Sequence, residues 1–132
     1  MTNQQIIDNL VKFEYYCGGY FEKFDCIEII VNNDLSITIN TITTYNRLSK
    51  KEPLNNVTMS KEDFEKFKKK LSKYIKNWKN SYSNNKILDG TQWSVDITGL
   101  DGTIHYGGNN EYPFNWTLFK MYMNKLMRKY VN

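Results

Sequence analysis

Between residues 91 and 107 the chain alternates. Trp93, Val95 and Ile97 take every second place, with Ser94, Asp96 and Thr98 between them. This two-residue period predicts a strand with one buried face near 91–98. Gly99 and Gly102 bracket a reversal through backbone that tolerates positive φ, and Ile104 and Tyr106 predict a return strand near 102–107. The same design occurs earlier. Ile27, Ile29 and Val31, the turn Asn32-Asn33-Asp34, then Leu35, Ile37 and Ile39 predict strands near 25–32 and 35–43. Aromatic-rich Phe13 to Cys17 predicts one more strand near 13–17, broken by Gly18-Gly19.

Three segments carry the helical period instead. Thr2-x-x-Gln5 ahead of Ile6, Ile7, Leu10 and Val11 is a capping-box start to a helix near 3–12. Ser60 caps a helix near 60–80, with Asp63 placed to close the box and Met59 to staple against Phe64. Its apolar stripe is Phe64, Phe67, Leu71, Tyr74, Ile75 and Trp78. Pro113 suits the first turn of a helix near 113–130, with Trp116, Phe119, Tyr122, Met123, Leu126 and Tyr130 along one side. Residues 45–57 hold Pro53 and no period and read as a loop, and Ser81 to Asn85 reads as a connector.

Together these elements predict an α+β fold over residues 1–132, a single domain. One antiparallel sheet of about five strands carries its helices on a single face, as two hairpin–helix units behind a leading helix and strand. Trp93, Val95, Ile97, Phe64, Phe67, Leu71, Phe119 and Leu126 are expected to share its core.

The stretch from Asp89 to Tyr130 also carries a resemblance. Trp93, Val95 and Ile97, then Gly102, then Gly108, Asn110, Tyr112, Pro113, Asn115 and Trp116 spell W-x-V-x-I and G-x-N-x-Y-P-x-N-W. This resembles a pattern of small uncharacterised α+β proteins from AT-rich, low-GC bacteria and their mobile elements. The resemblance covers about a third of the chain. It implies a fold and no activity, so it assigns no catalytic residue.

Composition changes the picture in two places. Residues 60–86 hold nine Lys against Glu62, Asp63 and Glu65, a net of +6 in a chain of net +4. Lys66, Lys69, Lys70, Lys73 and Lys76 therefore form a basic outer helix face, either solvated or a footprint for phosphates or an acidic protein. Against nucleic acid stands the scarcity of arginine, with only Arg47 and Arg128 available for bidentate recognition. Aromatics are the second feature, at 15% of the chain. Tyr15, Tyr16, Tyr20 and Phe21 flank the Gly18-Gly19 break, and Asn109, Asn110 and Tyr112 follow Gly107-Gly108. Exposed rings at such corners are expected to meet a partner. The glycines before Asn109 read as a strand-to-helix corner that needs positive φ.

Catalytic chemistry has few candidates. His105 is the single histidine, expected beside Asp96 or Thr98, with Cys17 or Cys26 as the conceivable nucleophile. Two separated cysteines and one histidine make no metal site, and no cofactor is expected. The residues at the start lack an export signal, so a cytoplasmic protein with two reduced thiols is expected, a cross-strand disulfide being the alternative. The leading expectation is a non-enzymatic protein that occludes a macromolecular protein partner, of inhibitor, immunity or counter-defence type such as a CRISPR inhibitor. A nucleic-acid-binding accessory protein using the helix near 60–80 is the alternative, and an enzyme of unknown type the third reading.

Overall fold

A central strand sets the frame. The computed structural model describes residues 2–19, 24–44, 55–84 and 90–131. In chain order its elements are α1 (Asn3–Asp8), β1 (Leu10–Gly18), β2 (Phe24–Val31), β3 (Ile37–Thr44) and β4 (Val57–Met59). Then come α2 (Lys61–Ile75), β5 (Ser81–Ser83), β6 (Gln92–Gly99), β7 (Thr103–Asn109) and α3 (Trp116–Lys129). They build one seven-stranded sheet in the order β4-β3-β2-β1-β6-β7-β5, with β1 in the middle. Every pairing is antiparallel except β5 with β7, which is parallel.

The α+β class and the five long strands agree with the periods in the sequence. The count and type of the sheet need correction: it is mixed and has seven strands. The two additions, β4 and β5, span three residues each, at the two sheet edges. A three-residue edge strand shows no readable period, so its segment reads as loop or connector.

The helix at the start is also shorter than its pattern suggests. Thr2 and Gln5 close the capping box, but α1 stops at Asp8 and Leu10 begins β1. Lys12 pairs with Ile30 on one side and Thr98 on the other. Hydrogen bonding to two strands decides the conformation there over local propensity.

Alternation along the strands sends Phe13, Tyr15, Ile27, Ile29, Ile37, Ile39, Trp93, Val95, Ile97, Ile104 and Tyr106 to one face, where all are buried. The helices close that face. Phe67 of α2 meets Phe13 edge-on at 4.8 Å, and Phe119 of α3 meets Tyr15 at 5.7 Å. All of the residues expected in the core belong to this cluster. Its hub is Trp78, just past α2. The Trp78 ring packs edge-on against Trp93 at 5.7 Å, Tyr106 at 5.3 Å and Phe119 at 5.1 Å. Its indole N–H donates to Asn115 Oδ1 at 2.7 Å, and Asn115 in turn donates to the Tyr74 carbonyl at 2.8 Å. One asparagine thus ties the end of α2 to the start of α3.

The other end of that helix pair is tied by charge. Ser60 accepts from the Asp63 N–H at 3.1 Å, which is half of the expected capping box. The Asp63 carboxylate turns instead to α3, taking the Lys129 ammonium at 2.5 Å and the Tyr130 hydroxyl. Hydrogen bonds from Lys129 and then Tyr130 hold its pKa below the ordinary 3.8. The stability this contributes is complete above about that value and is lost as pH falls through the lower folded-state value. Asp63→Asn is therefore expected to flatten the loss of stability below about pH 4, measured by urea unfolding across an acid titration. An unchanged acid slope would remove the α2–α3 tie from the account.

The hairpin turns depart from the glycine expectation. None of the described glycines has positive φ; Leu35, Asn56, Asn77 and Asn110 do. Gly99 serves a different end, since a Cβ there would lie 2.5 Å from the Ile6 carbonyl oxygen of α1. In the β2–β3 turn Asp34 accepts from the Ser36 N–H and hydroxyl, and Leu35 sits at φ 69° with its side chain 68% exposed. A γ-branched residue gains nothing in that left-handed conformation. Leu35→Asn is expected to raise stability by about 0.5–1 kcal/mol, read as a higher urea midpoint at unchanged slope.

The two hairpins are mirror-placed. β2 and β6 each lie beside β1 and antiparallel to it, and β3 and β7 lie outside them. A rotation carrying one hairpin onto the other would turn the sheet over and put α2 and α3 on opposite faces. Both helices pack on one face, so the likeness of the two hairpin–helix segments is one of alternation, not of a superimposable repeat.

Candidate functional site

Strand parity divides the aromatic corner. Tyr15 is 2% exposed, its ring inside against Trp116 and Phe119. Burial, with Cys17 alongside, pushes its phenol above the ordinary value. Tyr15 is thus core, a correction to its expected place on a partner surface. Tyr16 points to the helix-free face, half-buried, with its ring 4.9 Å from Phe24. Tyr20 and Phe21 lie outside the described residues. Cys17 and Cys26 form no disulfide; they lie on opposite faces of the sheet, so strand geometry keeps them from bonding to each other.

The Gly107–Tyr112 segment is held more firmly than a glycine pair suggests. Gly107 and Gly108 belong to β7, and Asn110 takes the left-handed turn at φ 59°. The Asn110 N–H donates to the Thr91 carbonyl at 2.9 Å, and Asn109 closes the strand opposite Gln92. The Trp93 indole N–H donates to the Glu111 carbonyl at 2.9 Å, passing over Gly108. Tyr112 then stacks on Trp116 at 5.6 Å and stays 37% exposed.

Beyond Tyr112 lies a surface that the sequence reading passed over. Phe114 is 82% exposed, Leu118 58% and Met121 60%. Leu118 and Met121, three residues apart, lie on the opposite side of α3 from buried Phe119, Met123 and Leu126, and Phe114 heads their line from the turn just before the helix. α3 is therefore apolar on two sides. Next to the line is a cleft of about 330 Å³, whose walls include Cys17, Thr91, Tyr112, Trp116, Lys120 and Met121.

The lysines border this surface. Lys66, Lys69, Lys70 and Lys73 are exposed on α2, Lys66 paired with Glu62 at 3.5 Å, and Lys76, at the end of the helix, is exposed on the side towards α1. α2 and α3 run antiparallel, with Tyr74 against Phe119 at one end and Asp63 against Lys129 at the other. The lysine-rich second half of α2 thus lies beside the first half of α3, and Lys70 Nζ sits 5.2 Å from the Tyr122 ring centre. No acidic residue occurs in 66–84 or 112–131.

The helix-free face has the opposite character. Glu28, Glu14 and Asp96 stand directly opposite one another across β2, β1 and β6, with Asn40 at one end of the row and His105 at the other. His105 Nδ1 lies 2.5 Å from Asp96 Oδ1, so of the two expected partners the register selects Asp96. Neither cysteine joins this couple. Cys17 is on the other face, and Cys26 is three strand spacings away, roughly 14 Å. Among the described residues no group of three His, Cys, Asp or Glu is arranged to hold a metal.

The site is thus a patch: Tyr112, Phe114, Leu118 and Met121 around a cleft, with Lys70 and Lys120 beside it. No protein-family model, curated protein or solved structure matches the chain, so the patch is read from its own geometry.

Proposed function

We propose that this is a non-enzymatic, cytoplasmic binding module that acts by occluding a surface of a protein partner. The observation that carries the reading is the exposed line Phe114, Leu118 and Met121. Three large apolar side chains more than half exposed, two on α3 and one in the turn leading into it, lose solvation free energy unless something covers them. The rigid footing of Tyr112 on Trp116 adds an aromatic anchor at its border. An inhibitor, immunity or counter-defence role, such as inhibition of a CRISPR effector, follows from the resemblance to mobile-element proteins rather than from the patch. No helix among the described residues is long and apolar enough to cross a membrane.

The test compares wild type with Phe114→Ser/Leu118→Ser by affinity capture from the native host, with mass spectrometry. The wild type is expected to retain one stoichiometric protein and the double variant to lose it, at nearly equal thermal stability, because both side chains are exposed. Tyr112→Ala is expected to weaken the complex by about 1–3 kcal/mol in titration calorimetry. Equal capture by both proteins would refute the patch. Recovery of nucleic acid, lost when Lys69, Lys73 and Lys76 become Glu and released by salt, would instead favour an accessory nucleic-acid binder.

A further inference from the structure

The molecule is electrically two-faced, and its apolar line lies on the cationic side. Lys70, over the Tyr122 ring, and exposed Lys73 one turn on stand on the α2 side of the line, and Lys120 stands at the cleft. The only carboxylates on α2 are in its first turns, where Glu62 pairs with Lys66, Glu65 with Lys68, and Asp63 with Lys129. They lie at the far end from Phe114 and Leu118.

We infer that the partner presents an acidic protein surface, an apolar side chain ringed by Asp or Glu, that seats in the cleft beside Met121. The inference rests on the patch being the docking surface and adds the chemistry of its occupant. Three observations select that chemistry. An apolar centre within an unneutralised cationic border is complementary to an apolar knob within carboxylates, which also steers encounter. A second copy of this chain is disfavoured, because an isologous contact sets the same lysines against one another. The cleft and the scarcity of arginine decide between a protein and the other polyanions. A lipid surface is too flat to fill 330 Å³ beneath Tyr112, and a chain whose only arginines are Arg47 and Arg128 offers little bidentate recognition of phosphates and bases.

The test uses two synthetic helical peptides with the same leucine stripe, one with glutamate and one with lysine on its polar face. Fluorescence anisotropy with the full chain compares them at low and high salt, beside a single-stranded oligonucleotide and phosphatidylglycerol vesicles. The glutamate peptide is expected to bind at least about tenfold tighter than the lysine peptide, a gap that salt closes. Lys70→Glu/Lys73→Glu/Lys120→Glu is expected to reverse the preference while leaving the circular dichroism spectrum unchanged. Equal binding of the two peptides, or no binding of the glutamate peptide, overturns the inference. So does stronger binding of the oligonucleotide or vesicles. A wild-type dimer dissociated by Leu118→Asp would give the patch to a second copy and overturn it too. Leu118→Ser distinguishes the layers. If both peptides bind alike and both need Leu118, the docking surface stands and only the acidic occupant falls. If the glutamate peptide binds regardless of Leu118 and Phe114, the patch itself is refuted.

Discussion

Trp78→Ala is expected to cost about 3–5 kcal/mol in urea unfolding, a fifth or more of the stability of an ordinary domain. The ring is 8% exposed and packs edge-on against Trp93, Tyr106 and Phe119. Removing it opens a cavity among rings that cannot collapse together, because each is also held by its own strand or helix. Trp78→Phe separates packing from hydrogen bonding. It keeps a ring in place but leaves Asn115 Oδ1 without its indole donor, for an expected loss of about 1–3 kcal/mol. If Trp78→Ala and Trp78→Phe cost the same, the indole bond and not the ring cluster is the main support.

Gly108→Ala is the second large effect. A Cβ there would lie 2.2 Å from Trp93 Nε1 and 2.6 Å from the Glu111 carbonyl oxygen, across the hydrogen bond that joins them. The indole or the loop has to move. Overpacking plus a broken bond predicts a loss of about 2–4 kcal/mol. Partner binding should weaken as well, because Glu111 precedes Tyr112 and sets its place on Trp116. Gly107→Ala is the control. Its Cβ would come closest to His105 Nε2, at 3.2 Å, the end of an exposed side chain, with the Trp93 carbonyl oxygen at an ordinary 3.5 Å. Equal effects at the two glycines would contradict the strand geometry given to Gly108.

Much of the fold was legible because alternation is a local property. Five strands of seven or more residues and the buried sides of the helices follow from periods of two and 3.6. β4 and β5 were not legible, being too short for any period. The site was less legible, for a different reason. Phe13, Tyr15 and Cys17 share one parity, and that parity alone places Tyr15 inside. In α3 the surplus was visible too: Trp116, Leu118, Phe119, Met121, Tyr122 and Met123 are more than one stripe can bury. The acidic row was beyond local reading. Glu14 meets Asp96 only because β1 pairs with β6, a register set by the packed core and not by neighbouring residues.

The central place of β1 also bears on the order of events during synthesis. β2 follows β1 closely and can pair with it as soon as it is made, and β3 with β2, whereas Tyr15 waits for Val95, some eighty positions later. Until then the second edge of β1 is an open row of amide donors and acceptors beside apolar side chains, a template for another unfinished chain. Ribosome-bound or truncated chains that stop before Gln92 are therefore the species in which aggregation should concentrate, and the arrival of β6 is the step that ends the exposure.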